Sequence, residues 1–397
     1  MTTTETTIAS ASDRIKRTQT AAYFASFIVL GLVMAALGPT LPGLAENTRS
    51  TVGQIGILFT AQALGVLVGD LISGRWYDRA PAHPFLAVVM LLVAVTLLLT
   101  PILSSLPVLA VVMFLMGIGL GSTDVGGNTL LVWVHRDDVG PRMNALHFFF
   151  GLGALLVPLL VALVISTTGE ITWAYWLLAI IVVPAALMFM RVPSPTRLQQ
   201  SAEVSTAEAR WLLVFLIAAM FFLFVGAELS FGGWIYTYAI SLDLATVTTA
   251  GYLTSLFWGA LTLGRLLSIP IAARVRPRYI LMVDIAGMIL SLALPLLVPG
   301  TSWALWLSAF GFGLFMANVF PTLMVLGEHH LTITGGITGW FLVGGSLGSM
   351  TVPLLIGQRF EATGPQATLI VILATVLLAA VVLAAFLVAV RNPSASR

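Results

Sequence analysis

Two carboxylates stand in stretches of this chain that are otherwise apolar, Asp124 and Glu228. An ionised carboxylate in hydrocarbon costs several kcal/mol, so each must face a cavity or a partner. Asn128 follows Asp124 by one helical turn and shares its face. Asn144 and His147, three residues apart, open the next apolar stretch, which a short connection brings close. Asp124, Asn128, Asn144 and His147 therefore suit one polar cluster, either a binding site or a network that holds two helices together. Glu228 precedes Phe231-Gly232-Gly233-Trp234, a sequence able to bend or break a helix and free its carbonyls. Trp234 and Tyr238, four apart, present one aromatic face. Beside a carboxylate, that face suits a hydroxylated ring, or else it belongs to an interfacial aromatic belt. Gln62, Trp258, Asn318 and Trp340 are further candidates for solute binding, while Asp70 and Asp284 sit near segment ends and are expected to cap, gate or snorkel.

The elements that must position these side chains are membrane helices. Of 397 residues, 59% are hydrophobic and only 9% charged, against about 25% charged in a soluble domain. A soluble enzyme, a disordered chain and a nucleic-acid binder are thereby set aside. The net charge of +2 is too small for polyanion binding. There is no cysteine, the five histidines lack metal-ligand spacing, and no phosphate-binding GxxxxGK[ST] loop is present. No cofactor, metal or direct use of ATP is expected. Spanning helices need roughly 20 apolar residues each, and the apolar runs are too long and too little alternating for a barrel.

The runs place helices at 20–44, 52–75, 84–101, 107–133, 143–167, 172–190, 210–238, 247–271, 279–298, 303–326, 333–357 and 366–390. The first follows Arg14, Lys16 and Arg17 and is read as a spanning helix rather than a cleaved signal. The polar break after Arg191 divides the chain: a tail at 1–19, six helices at 20–190, a linker at 191–209, six helices at 210–390 and a tail at 391–397. With both ends and the even-numbered loops on one side, that side takes every Lys and Arg except Arg49 and Arg359. This bias places both termini in the cytoplasm.

The halves repeat. Leu152-Gly153 and Val157-Pro158-Leu159-Leu160 recur as Leu347-Gly348 and Val352-Pro353-Leu354-Leu355, 195 positions on. Gly117, Gly119, Leu120 and Val125 recur 194 positions on as Gly311, Gly313, Leu314 and Val319. Gly69, Leu71, Gly74 and Arg75 recur 190 positions on as Gly259, Leu261, Gly264 and Arg265, and Gly31 and Gly38 match Gly226 and Gly233. A parallel duplication of six helices is the signature of a transporter whose halves rock about a central site.

With this repeat, and with Gly74 followed by Asp78-Arg79 after the second helix, the chain resembles the major facilitator superfamily. Asp78, Arg79 and the second-half Arg265 are then expected at a cytoplasmic gate. Three stretches make the closer resemblance one to the fucose/glucose-type sugar symporters. They are Gly117-x-Gly-x-Gly-x-x-Asp124-x-x-x-Asn128, Asn144-x-Leu146-His147-x-x-Phe150-Gly151-x-Gly153-x-x-x-x-Pro158, and Gly226-x-Glu228 with Gly232-Gly233-Trp234-Ile235-x-Thr237-Tyr238. The resemblance implies an all-α polytopic membrane protein with twelve transmembrane helices in two pseudo-symmetric six-helix bundles. It implies secondary active transport of a monosaccharide or related small polar solute across a bacterial inner membrane, by a monomer among lipids. A proton symporter is expected, with Asp124 and Glu228 coupling the ion. A sodium symporter and a proton-driven exporter of drugs or metabolites remain open. The carboxylate that the fucose type carries in its first helix is absent from Gly31–Gly38.

Overall fold

The computed structural model describes residues 3–77, 79–136, 139–196, 211–272, 274–331 and 335–391. Asp78 and positions 197–209 of the expected linker lie outside the described residues. Among those described, twelve helices are long and apolar enough to cross a membrane: α1 (Asp13–Thr48), α2 (Val52–Tyr77), α3 (Ala82–Ile102), α4 (Leu106–His135), α5 (Gly140–Thr168), α6 (Thr172–Arg191), α7 (Trp211–Ser241), α8 (Val247–Ala272), α9 (Pro277–Leu297), α10 (Ser302–Glu328), α11 (Ile337–Thr363) and α12 (Ala367–Arg391).

Local chemistry sets the ends of these helices. Thr51 accepts from the Gln54 amide at 3.2 Å while the Gln54 side chain accepts from Thr51 N–H, a reciprocal cap that starts α2. Proline opens α4, α5 and α9, where its missing N–H costs nothing. Gly169, with φ +77°, closes α5 in a conformation open to glycine. In α10 the helix is interrupted between Met316 and Val319. Pro321 explains the break: it has no N–H for the Ala317 carbonyl, and its ring crowds that carbonyl.

The repeated glycines make the same crossings in both halves. A Cβ on Gly31 would overlap the Phe150 carbonyl, and one on Gly153 the Ile28 carbonyl, so α1 and α5 meet backbone to backbone. Their counterparts Gly226 and Gly348 bring α7 onto α11 in the same way, Gly348 lying on the Phe222 carbonyl. Without a hydrophobic drive between helices in lipid, such close approach supplies the attraction.

The halves meet chiefly where α5 packs on α8, α2 on α11, and α1 on α7. At the end carrying the α1–α2 and α11–α12 turns the halves are sealed. Thr51 Oγ1 donates to Glu361 Oε2 at 2.7 Å, and Thr60 Oγ1 donates to the Met350 carbonyl at 2.8 Å. Gly56 and Gly357 leave room for the Trp234 indole between them, and that ring lies against Phe59 and Phe360 at centroid distances of 5.8 and 5.7 Å. Any larger residue at 56 or 357 would meet the indole.

Candidate functional site

Below this seal lies a cavity of about 210 Å³ between the halves. Its first wall comes from α1, α2 and α4: Met34, Gly38, Phe59, Gln62, Val66, Asp70 and Asp124. Its second wall comes from α7, α8, α10 and α11: Phe221, Trp258, Phe320, Phe341, Ser346 and Ser349 among others. On α2, positions 59, 62, 66 and 70 recur at helical spacing, so one face of that helix runs along the cavity. The eight residues from Gln62 to Asp70 span about 12 Å. The cavity therefore has an upper layer at the seal, with Gln62, Gly232, Gly233 and Trp258, and a lower layer with Asp70 and Asp124.

The lower layer is acidic. Asn128 Nδ2 donates to Asp124 Oδ1 at 3.1 Å and to the Asp124 carbonyl at 3.0 Å, as their one-turn spacing implies. Asp70 leans onto α4, where a Cβ on Gly121 would lie 2.7 Å from its Oδ1. That oxygen is buried and has no hydrogen-bond donor, and Asp124 is close enough to act on it electrostatically. No Lys, Arg or His is among the described residues lining the cavity. Asp70 was expected to cap, gate or snorkel; instead it shares a cavity with Asp124. Asp284 does not line the cavity but is buried on α9, 5% exposed with Oδ2 unpartnered. Helix phase, rather than distance from a helix end, decided both.

Glu228 has a partner that its own helix does not supply. Arg265 Nη2 of α8 lies 3.7 Å from Glu228 Oε1, with the side chains 29% and 15% exposed. Arg265 also acts electrostatically on His147 of α5, whose ring stands edge-on to Phe27 at 5.8 Å. One arginine thus connects the expected gate residue, an expected coupling residue and an expected binding residue at the α5–α8 contact. Its repeat counterpart Arg75 is exposed and donates to the carbonyl of Leu71 one turn back.

The other expected residues are dispersed. Gln62 and Trp258, 8% and 4% exposed, line the cavity. Asn144 is exposed on α5, and Arg79 is exposed in the turn after α2. Trp340 is 54% exposed on α11. Asn318 is buried at the α10 interruption with Oδ1 unpartnered, and it does not line the cavity. Trp234 belongs to the seal, and the Tyr238 hydroxyl donates to Gln366 Oε1 at 2.9 Å, tying α7 to the start of α12. Gly232-Gly233, able to bend or break a helix, does not break α7, which runs unbroken from Trp211 to Ser241. The two glycines instead admit neighbours: Gly38 approaches their carbonyls, Trp258 packs on Gly232 and Phe59 on Gly233.

The Major Facilitator Superfamily profile matches residues 23–353. The chain belongs to this superfamily. Sodium-dependent glucose transporter 1 of Xenopus laevis is 29% identical over 357 residues, covering 82% of this chain and 72% of the relative. The structures of the nucleoside transporter NupG and of a D-xylose-proton symporter share the fold, with TM-scores of 0.73 and 0.74. Their identities are 18% and 15%, covering 94% and 92% of this chain and 98% and 96% of theirs. As a member of the superfamily the chain is a multi-pass membrane transporter.

Sequence reasoning overlooked the four phenylalanines, the two serines and Asp70 in this cavity. Asp70 was detectable, because it continues the α2 face that begins at Gln62. The phenylalanines were not, since nothing distinguishes them from the chain's other phenylalanines until helix packing is known.

Proposed function

We propose that this chain is a secondary active transporter that carries a monosaccharide or related small polar solute by alternating access, coupled to proton entry. The observation that carries the reading is the cavity, closed at one end and shared by both halves, with an amide and an indole above and two uncompensated carboxylates below. A solute of hydroxyls and C–H faces suits such a mixed wall. Two carboxylates without a cationic neighbour need a bound cation inside a low-dielectric cavity, and Asp124 with Asp70 is the place for it. Glu228 is balanced by Arg265 and takes part through that pair, near the α5–α8 contact. Asp78 and Arg79 serve the gate at the arginine-rich end. The arginine distribution supports cytoplasmic termini, and one chain contains a complete cavity, which supports a working monomer.

A sodium-coupled reading is favoured by the name of the glucose-transporting relative. The experiment that separates the two is uptake into proteoliposomes, with proton and sodium gradients imposed separately and a panel of hexoses, pentoses and nucleosides. Accumulation driven by an inward proton gradient and abolished by a protonophore is expected. Accumulation driven by sodium alone replaces the proton assignment, and solute movement only against an inward proton gradient turns the reading to export.

A further inference from the structure

We propose that the indole N–H of Trp258 is the specificity donor of this transporter, taking an acceptor oxygen of a neutral hydroxylated solute in the upper layer of the cavity, opposite Gln62. The assignment rests on the transport reading above and adds to it the atom that selects the cargo. Trp258 is 4% exposed and lines the cavity, and its Nε1 is buried without a hydrogen-bond partner. Indole nitrogen is a donor only, and a buried donor left unpaired is destabilising. A phenylalanine would fill an apolar wall without that cost.

The ring is also held in place. It packs on Gly232, where a Cβ would lie 2.6 Å from Cζ2, and stands edge-on to Phe257 at 5.0 Å. A donor fixed before the ligand arrives loses little entropy on binding. Across the cavity, Gln62 is 8% exposed and gives its amide to the Met116 thioether at 3.8 Å, a weak acceptor that a solute oxygen outcompetes. Trp258 belongs to α8 and Gln62 to α2, so a solute that touches both links the two halves.

The chemistry selects the class of solute. An acceptor oxygen is required at Trp258, which a simple tetraalkylammonium ion does not have. The acids of the lower layer oppose a sugar acid. Asp70 lies about 12 Å along α2 from Gln62, so the acids are offset from Trp258 and Gln62 by about two helical turns. A neutral sugar or nucleoside fits, and a deoxy analogue lacking the accepting oxygen is the diagnostic probe.

The test measures KM and maximal rate in proteoliposomes for D-glucose, D-xylose and uridine, then for the monodeoxy analogues of whichever is transported. Trp258→Phe is expected to raise KM for the parent solute about tenfold, as loss of one hydrogen bond implies. One deoxy analogue should already be about tenfold weaker with the unaltered protein and lose nothing further in Trp258→Phe. A purely structural tryptophan would weaken every analogue alike, and that result overturns the assignment. So does an unchanged KM for all solutes. Gln62→Leu, which leaves the indole in place, is the companion variant: it should raise KM for the parent yet keep the Trp258-dependent discrimination, and loss of that discrimination overturns the assignment. If the unaltered protein moves none of the panel, the transport reading falls together with the donor role. If it transports but ignores the Trp258→Phe change, only the donor role falls.

Discussion

Asp124 in α4 and Asn318 in α10 occupy equivalent positions in the two halves, 194 residues apart, yet their surroundings differ. Asp124 faces the cavity beside Asp70, held by Asn128. Asn318 is buried at a helix interruption away from the cavity. Arg75 and Arg265 diverge in the opposite sense, the first exposed and bonded to its own helix, the second paired with Glu228. The halves keep the same glycine crossings while dividing the electrostatics. Of the acids at or beside the cavity, Asp70 and Asp124 of the first half have no cation and Glu228 of the second is paired with Arg265. A duplicated scaffold can thus preserve its packing where backbones touch while its two halves carry different electrostatics.

The most severe way to break this comparison is at Asp124. Asp124→Asn gives the first half the amide already present at Asn318, and accumulation against a solute gradient is expected to disappear while exchange across equal gradients persists. Concentrative uptake by this variant at the unaltered level would show that the charge difference between the halves has no part in coupling. Proteoliposome accumulation and counterflow, measured side by side, give the answer.

The shared part of the comparison is tested next. Gly31→Leu and Gly348→Leu each force a side chain into a neighbouring carbonyl, at Phe150 and Phe222 respectively. Overpacking of this kind costs about 1–3 kcal/mol and at times more. Both should lower the melting temperature in detergent by similar amounts. A large loss in one half alone would mean that the crossings are equivalent in geometry but not in energy.

How much of this was legible beforehand follows the same division. Glycine spacing was legible as a repeat, and the matched crossings follow from it because close backbone approach depends on one residue type at one offset. Apolar length predicted twelve helices because the bilayer fixes that length. The one-turn contact of Asp124 with Asn128 was likewise local and readable. The Glu228–Arg265 pair was not, since it joins residues 37 positions apart on different helices, and only packing brings them together. The Gly232-Gly233 stretch misled for a related reason. Glycine permits both a break and a close approach, and the neighbours Gly38, Phe59 and Trp258 select the second.

The ion pair itself gives a moderate effect. Removing one member of a half-buried pair leaves the other charge unmatched in a low-dielectric setting. Glu228→Gln and Arg265→Gln should each destabilise the protein by about 1–3 kcal/mol, less than a fully buried pair because Arg265 retains access to water. The double variant should recover most of that loss, and thermal melting of all four proteins measures the coupling. Additive losses would show that the two side chains act separately and that Arg265 does not balance Glu228.

The smallest effect is expected at the seal. Thr51 does two things at once: it caps α2 through the Gln54 amide and donates across the halves to Glu361. Loss of the cap costs about 1 kcal/mol, and an exposed hydrogen bond adds little to that. Thr51→Ser keeps the hydroxyl and should behave as the unaltered protein, whereas Thr51→Ala should shift the resting population toward opening at this end. The chain has no cysteine, so a single cysteine placed at Ser346 in the cavity reports opening without a background. Its labelling by an impermeant reagent from the Thr51 side should quicken a few-fold in Thr51→Ala and remain slow in Thr51→Ser. Equal labelling in both would assign the seal to Trp234 and its glycine neighbours alone, since their contact survives either substitution.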